Sequence, residues 1–125
     1  MSETVTYEVT FPERAWTTNS ERSSNRWVRA EKVKKWRTAF KLLAEAQEIP
    51  TLENVHITAQ PYQKGGVLQD VASCNPAVKA AIDGLVDAKV MIDDSPKYLH
   101  SVTFLQPQKG KNALKLIIKG ERTKQ

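Results

Sequence analysis

The chain has a single cysteine, Cys74, so no disulfide can form within it. That suits a reducing compartment, where a lone thiol serves as a small apolar side chain. No apolar run approaches the roughly 20 residues of a membrane helix. The start, MSETVTYEVTF, has no basic segment followed by an apolar one. The expectation is a cytoplasmic protein with no membrane partner. There is no glycine-rich phosphate loop and no cysteine–histidine zinc pattern. The two histidines, His56 and His100, lie in strand-like stretches with no ligand partner at metal spacing, and neither is assigned a catalytic role. No repeat, low-complexity segment or internal linker interrupts the chain. Its 125 residues, 40% hydrophobic and 26% charged, read as one domain, 1–125, with a single modest core.

What is present is charge, unevenly placed. The net charge is +5 and the pI near 9.4, a balance suited to a polyanionic partner. Arg14, Arg22, Arg26, Arg29, Lys32, Lys34, Lys35, Arg37 and Lys41 face only Glu21 and Glu31 in the same stretch. The tail adds Lys109, Lys111, Lys115, Lys119, Arg122 and Lys124 against Glu121. Between these basic segments, residues 70–94 hold Asp70, Asp83, Asp87, Asp93 and Asp94, with only Lys79 and Lys89. Such a plan fits metal-dependent phosphodiester cleavage: cations hold a phosphate backbone and carboxylates hold an ion.

Patterning gives the elements. Val5, Tyr7, Val9 and Phe11 alternate in a strand over 4–11, which Pro12 ends. Residues 13–25 lack periodicity and read as a loop. A helix over roughly 28–47 carries Val33, Trp36, Phe40 and Leu43 on one stripe, opposite its cations. A strand at 54–62 follows, then a loop with two glycines. Asn75 as N-cap and Pro76 at the first helical position open a second helix ending near Ala88. Its apolar face is Val78, Ala81, Ile82 and Leu85. After Val90-Met91-Ile92 and a turn at DDSP come strands at 101–105 and 113–119. The fold class is α+β: a small mixed sheet of four or five strands packed with two main helices.

The helix and the segment after it bring the acids together. From Asp83 to Ala88 the chain climbs about 7.5 Å, and three extended residues running back recover roughly 10 Å. Asp93 and Asp94 thus return to the level of Asp83, with Lys79 one turn before it at i,i+4. Asp70 lies in the loop ahead of the helix. Magnesium needs little more than one or two carboxylates plus substrate phosphates. Clustered carboxylates without an ion repel one another, which predicts at least one raised pKa. Asp87 falls on the far side of the helix, where substitution is expected to change little. For each residue an ordinary surface role is the alternative: an ion pair for Lys79 and Asp83, a plain turn for Asp93-Asp94-Ser95-Pro96, and a helix-dipole contact for Asp70.

The stretch DVASCNPAVKAAIDGLVDAKVMIDDSPKYL resembles the signature region of RusA-type Holliday-junction resolvases, small endonucleases common in phages and prophages. That family's pattern opens with Asp-x-Asp-Asn and runs through a helix carrying Lys-x-x-x-Asp-(Ala/Gly)-Leu. A Gly and a short apolar run then lead to Asp-Asp-Ser. Asp70 matches the first Asp, residues 79–85 the helix, and Asp93-Asp94-Ser95 the end. TTNSERSSNRWVRAEKVKKWR resembles the family's loop and basic helix, so the likeness spans nearly the whole chain.

The resemblance implies a homodimer that makes paired Mg²⁺-dependent nicks in branched DNA such as four-way junctions, with Mn²⁺ as a substitute ion. It also implies a bacterial or phage-infected host cell as the setting. It makes Asp70 and Asp94 metal ligands, Lys79 a catalytic amine, and Asp83 a further acidic site residue that joins the metal set. Arg22, Arg26 and Lys64 are candidates for phosphate contacts and Asn19 for a polar one. Trp16 or Trp27 is a candidate for stacking on an unpaired base, with core packing as the alternative. Two positions depart from the pattern. Ala72 and Ser73 stand where the family has its second Asp and its Asn. Water, Asp83 or Asp93 substituting, a missing second metal, and lost activity all remain open there. Lys89 replaces the Gly after the second helix, at a cost of roughly 1 kcal/mol if that position is left-handed. The alternatives to a nuclease are a catalytically impaired branched-DNA-binding protein of the same fold and a basic structural or regulatory DNA-binding protein.

Overall fold

The computed structural model describes residues 2–17 and 25–123, and candidates Asn19 and Arg22 lie outside the described residues. Strand β1, Ser2–Phe11, turns Val5, Tyr7, Val9 and Phe11 toward the core at every second position. Helix α1, Arg26–Ala46, starts two residues before the expected position because Asn25 Oδ1 accepts the Val28 amide at 2.9 Å. Its buried stripe is Trp36, Phe40 and Ala44. The Trp36 ring meets Phe11 edge-on at 4.9 Å and Trp16 at 5.5 Å. Trp16 is therefore a core residue, whereas Trp27 stands 72% exposed.

Strand β2, Leu52–Gln63, leads through a loop into helix α2, Asn75–Asp87, and on to β3, Leu99–Phe104. A two-residue strand β4, Gln108–Lys109, and the long β5, Ala113–Thr123, complete the chain. The sheet order is β1-β5-β2-β3, with β4 also on β2. β5 runs antiparallel to both neighbours, while β2 and β3 are parallel. A parallel pair needs a crossover, and α2 supplies it. Among the described residues, five strands and two helices make a mixed-sheet α+β fold. Val9, Ile57, Ala59, Leu116 and Ile118 join the buried faces of both helices in one hydrophobic cluster. No helix among the described residues is long and apolar enough to cross a membrane.

Three local expectations are corrected. Asn75 is not the N-cap of α2; Cys74 is, without a side-chain cap bond. The turn at 70–74 already bonds Ser73 N to Asp70 O and Asn75 N to Ala72 O, so the chain is helical in path before Asn75 arrives. Next, Val90-Met91-Ile92 is not an extended run. Lys89 is left-handed, φ 67°, and bends the chain so that the Val90 amide returns to Leu85 O at 3.0 Å. Val90 and Met91 are fully buried and Ile92 is outside. Finally, Asp87 does not stand idle. Its two carboxylate oxygens accept Arg37 Nε at 2.6 Å and Nη2 at 2.9 Å, clamping α2 to α1. One turn earlier, Gly84 packs so tightly on α1 that a Cβ there would lie 2.3 Å from Arg37 O.

Candidate functional site

The amine of Lys79 sits between two carboxylates. Its Nζ donates to Asp83 Oδ1 at 3.0 Å and to Asp94 Oδ2 at 2.8 Å. Asp83 reaches it from one turn further along α2, the i,i+4 neighbour. Asp94 comes from the turn after the buried Val90-Met91 pair. Asp93 fixes that turn by accepting the Ser95 amide at 2.8 Å, and the Ser95 carbonyl accepts the Tyr98 and Leu99 amides. Asp93 thus shapes the turn, and Asp94 faces the lysine.

Lys79 and Asp94 border a cavity of about 230 Å³ between α2 and β3. Val78, Ile82, Leu99, Val102 and Phe104 give it apolar walls, and Asn75 adds a polar edge. Asn75, read from sequence only as a cap, therefore lies beside the acidic cluster.

The electrostatics run opposite to the sequence expectation. For Asp93 and Asp94 the shift is downward, not upward. The hydrogen bond from Lys79, and then its charge, hold the Asp94 carboxyl below the ordinary carboxylate value. The Lys79 ammonium is held above its ordinary value by the bonds to Asp94 and then Asp83. Asp93 is lowered by its bonds with Ser95. The cation between the acids is the chain's own.

Asp70 is exposed at the start of the turn before α2, where its backbone carbonyl accepts both the amide and the hydroxyl of Ser73. It lines a separate cavity of about 240 Å³ with Gln106 and Pro107. No group of three or more metal-ligating side chains meets at one point among the described residues. The donor chemistry of Asp83 and Asp94 nonetheless fits magnesium, which takes carboxylate oxygens and completes its shell with water and substrate phosphate.

Several cations of the basic frame are engaged. Lys35 pairs with Glu13 at 2.6 Å, Arg37 with Asp87, and Lys115 with Glu8 at 3.6 Å. The Arg26 guanidinium lies 5.6 Å over the exposed Trp27 ring, giving a flat cationic–aromatic pair at the head of α1. Lys64 is exposed, its backbone amide bonded to Asn112 Oδ1.

No family model matches the sequence, and no curated protein matches it. Among solved structures, a thiamine-monophosphate kinase from Stenotrophomonas maltophilia K279a aligns over 97% of this chain at 13% identity and a TM-score of 0.39. This chain spans 31% of that protein's length, and a likeness at that level carries no argument about fold or function.

Proposed function

We propose that the protein is a structure-selective endodeoxyribonuclease of the RusA type, hydrolysing phosphodiesters in branched DNA with Mg²⁺. The observation that supports it best is the meeting of Lys79, Asp83 and Asp94 beside an open cavity, three residues that the family-like motif singled out. Asp94, with Asp83, would hold the ion. When bound, Mg²⁺ supplies Lewis-acid charge and an activated water. Lys79 offers an ammonium that can turn from its carboxylates to a phosphate oxygen and offset charge building there. Asp83, anchored on α2, keeps that amine on the cavity side. Arg26 and Lys64 are the described cations that would hold the phosphate backbone. Paired nicks require two such sites on opposed strands, which a two-fold homodimer in the cytoplasm provides. Sedimentation should then give about twice 14.1 kDa, and a monomer with and without junction DNA contradicts the dimer.

A second reading has its own support. Ala72 leaves the turn ahead of α2 without the second carboxylate of the family pattern, and Lys79 already offsets one of the two negative charges it touches. Both favour a branched-DNA-binding protein without cleavage. A synthetic four-way junction and a linear duplex, each incubated with the protein in Mg²⁺ or EDTA, separate the readings. Junction-specific cleavage in Mg²⁺ alone is expected. Selective binding without cleavage selects the second reading, and unselective binding removes both.

A further inference from the structure

Both of the chain's histidines come together on the sheet. β2 and β3 are in register as Val55 with Leu99 and then His56 with Ser101, so His100 is an extra residue in the ladder. A bulge of this kind re-aims side chains, and here the His100 ring lies beside that of His56. The ring centres are 5.5 Å apart with planes at 86°. Both residues are exposed. A divalent ion binds imidazole nitrogen at about 2.0–2.1 Å, which puts it about 3 Å from each ring centre. Two rings on one ion therefore have centres about 4.5–6.4 Å apart, a range that contains the separation seen here.

One ring is also oriented. His56 Nδ1 lies 2.6 Å from Ser101 Oγ. In the tautomer whose Nδ1–H donates to that hydroxyl, Nε2 keeps its lone pair for a metal, the usual outer-shell arrangement of a ligating histidine. We propose that His56 and His100 form a two-imidazole site for a divalent transition ion, Cu²⁺, Ni²⁺ or Zn²⁺, with Ser101 positioning one ligand. Water completes the coordination. Lys119, the β5 register partner of His56, opposes the ion's charge and keeps the site selective for ions with strong nitrogen affinity. Mg²⁺ is excluded because it demands oxygen ligands. The ion bridges β2 to β3, and β3 pairs with no other strand among the described residues. Since Leu99, Val102 and Phe104 of β3 also wall the Lys79 cavity, metal at the histidines would stiffen that wall.

Calorimetric titration of the full-length, tag-free chain with CuCl₂, NiCl₂ or ZnCl₂ tests the site. One ion per chain is expected, with Cu²⁺ tightest as the Irving–Williams order requires. His56→Ala and His100→Ala should each weaken binding at least tenfold, and Ser101→Ala by a smaller factor. Frozen-solution EPR of the Cu²⁺ form should show coupling to two imidazole nitrogens, and to one in either histidine variant. Exposure of both rings means the variants keep their fold, which circular dichroism verifies. Binding unchanged in His100→Ala, or no saturable binding of any of the three ions, overturns the proposal. Neither outcome bears on Mg²⁺-dependent cleavage.

Discussion

At the residue scale, the centre of the molecule is one ammonium shared by two carboxylates. The pairs it makes are partly exposed, with side-chain exposures of 58% for Lys79, 47% for Asp94 and 28% for Asp83. Surface pairs of this kind contribute about 0–1 kcal/mol, so the cluster does little for folding. The sign of its pH dependence follows from the shifts. Asp94 and Asp87 have depressed folded-state pKa values. Their contribution is present above the ordinary carboxylate range and is lost as pH falls through the folded value. Lys79 is raised, so its contribution holds below the ordinary lysine range and is lost only as pH rises through the folded value. Urea unfolding midpoints should therefore be level from about pH 5 to pH 9 and fall below about pH 4. The difference between wild type and Asp94→Asn should shrink over that same acidic window. A difference that grows on acidification would mean that Asp94 is not held by Lys79.

At the scale of elements, the two helices meet through a missing side chain and a clamp. Gly84→Ala forces a methyl group against the Arg37 carbonyl, and backbone cannot yield as a flexible side chain can. Overpacking costs about 1–3 kcal/mol, and the gain in helix propensity, about 1 kcal/mol, offsets only part of it. Thermal denaturation should show a Tm lower by a few degrees, and an unchanged Tm would mean that the helices do not approach this closely. Asp87→Asn should cost about 1 kcal/mol by loosening the two-pronged Arg37 contact. It should leave any junction cleavage unchanged, which urea titration and a cleavage assay can check side by side. These elements were largely legible from sequence because they follow hydrophobic period: strand alternation in Val5, Val9 and Phe11, helical spacing in Trp36, Phe40, Val78 and Leu85. The Lys79–Asp83 contact was legible from the i,i+4 spacing, whereas Asp94 reaches the lysine through the left-handed bend at Lys89 rather than the extended run the sequence suggested. What escaped depends on partners distant in the chain. Arg37 and Asp87 are 50 residues apart, and nothing local marks them as a pair. His100 reaches His56 only through a bulge, which no period predicts.

At the scale of the whole molecule, the proposed function requires a basic body to present an acidic cluster to a polyanion. Several of its cations are tied to acids, so the net charge overstates what a polyanionic partner would meet. Junction affinity should still fall with salt, with log K against log salt sloping by about −0.7 to −0.9 per phosphate neutralised. Replacing Arg22 and Arg26 by Ala should flatten that slope by one or two phosphates' worth. An unchanged slope would take both residues off the DNA. Binding, however, does not separate a nuclease from a protein that only recognises junctions. The most direct test is the single-turnover cleavage rate of a four-way junction in Mg²⁺ for wild type, Lys79→Met and Asp94→Asn, with junction binding measured in parallel. Loss of cleavage by at least a hundredfold in both variants, with binding by Asp94→Asn intact or tighter, is the predicted result. Cleavage by Asp94→Asn at the wild-type rate would contradict it and reduce the cluster to a solvated turn.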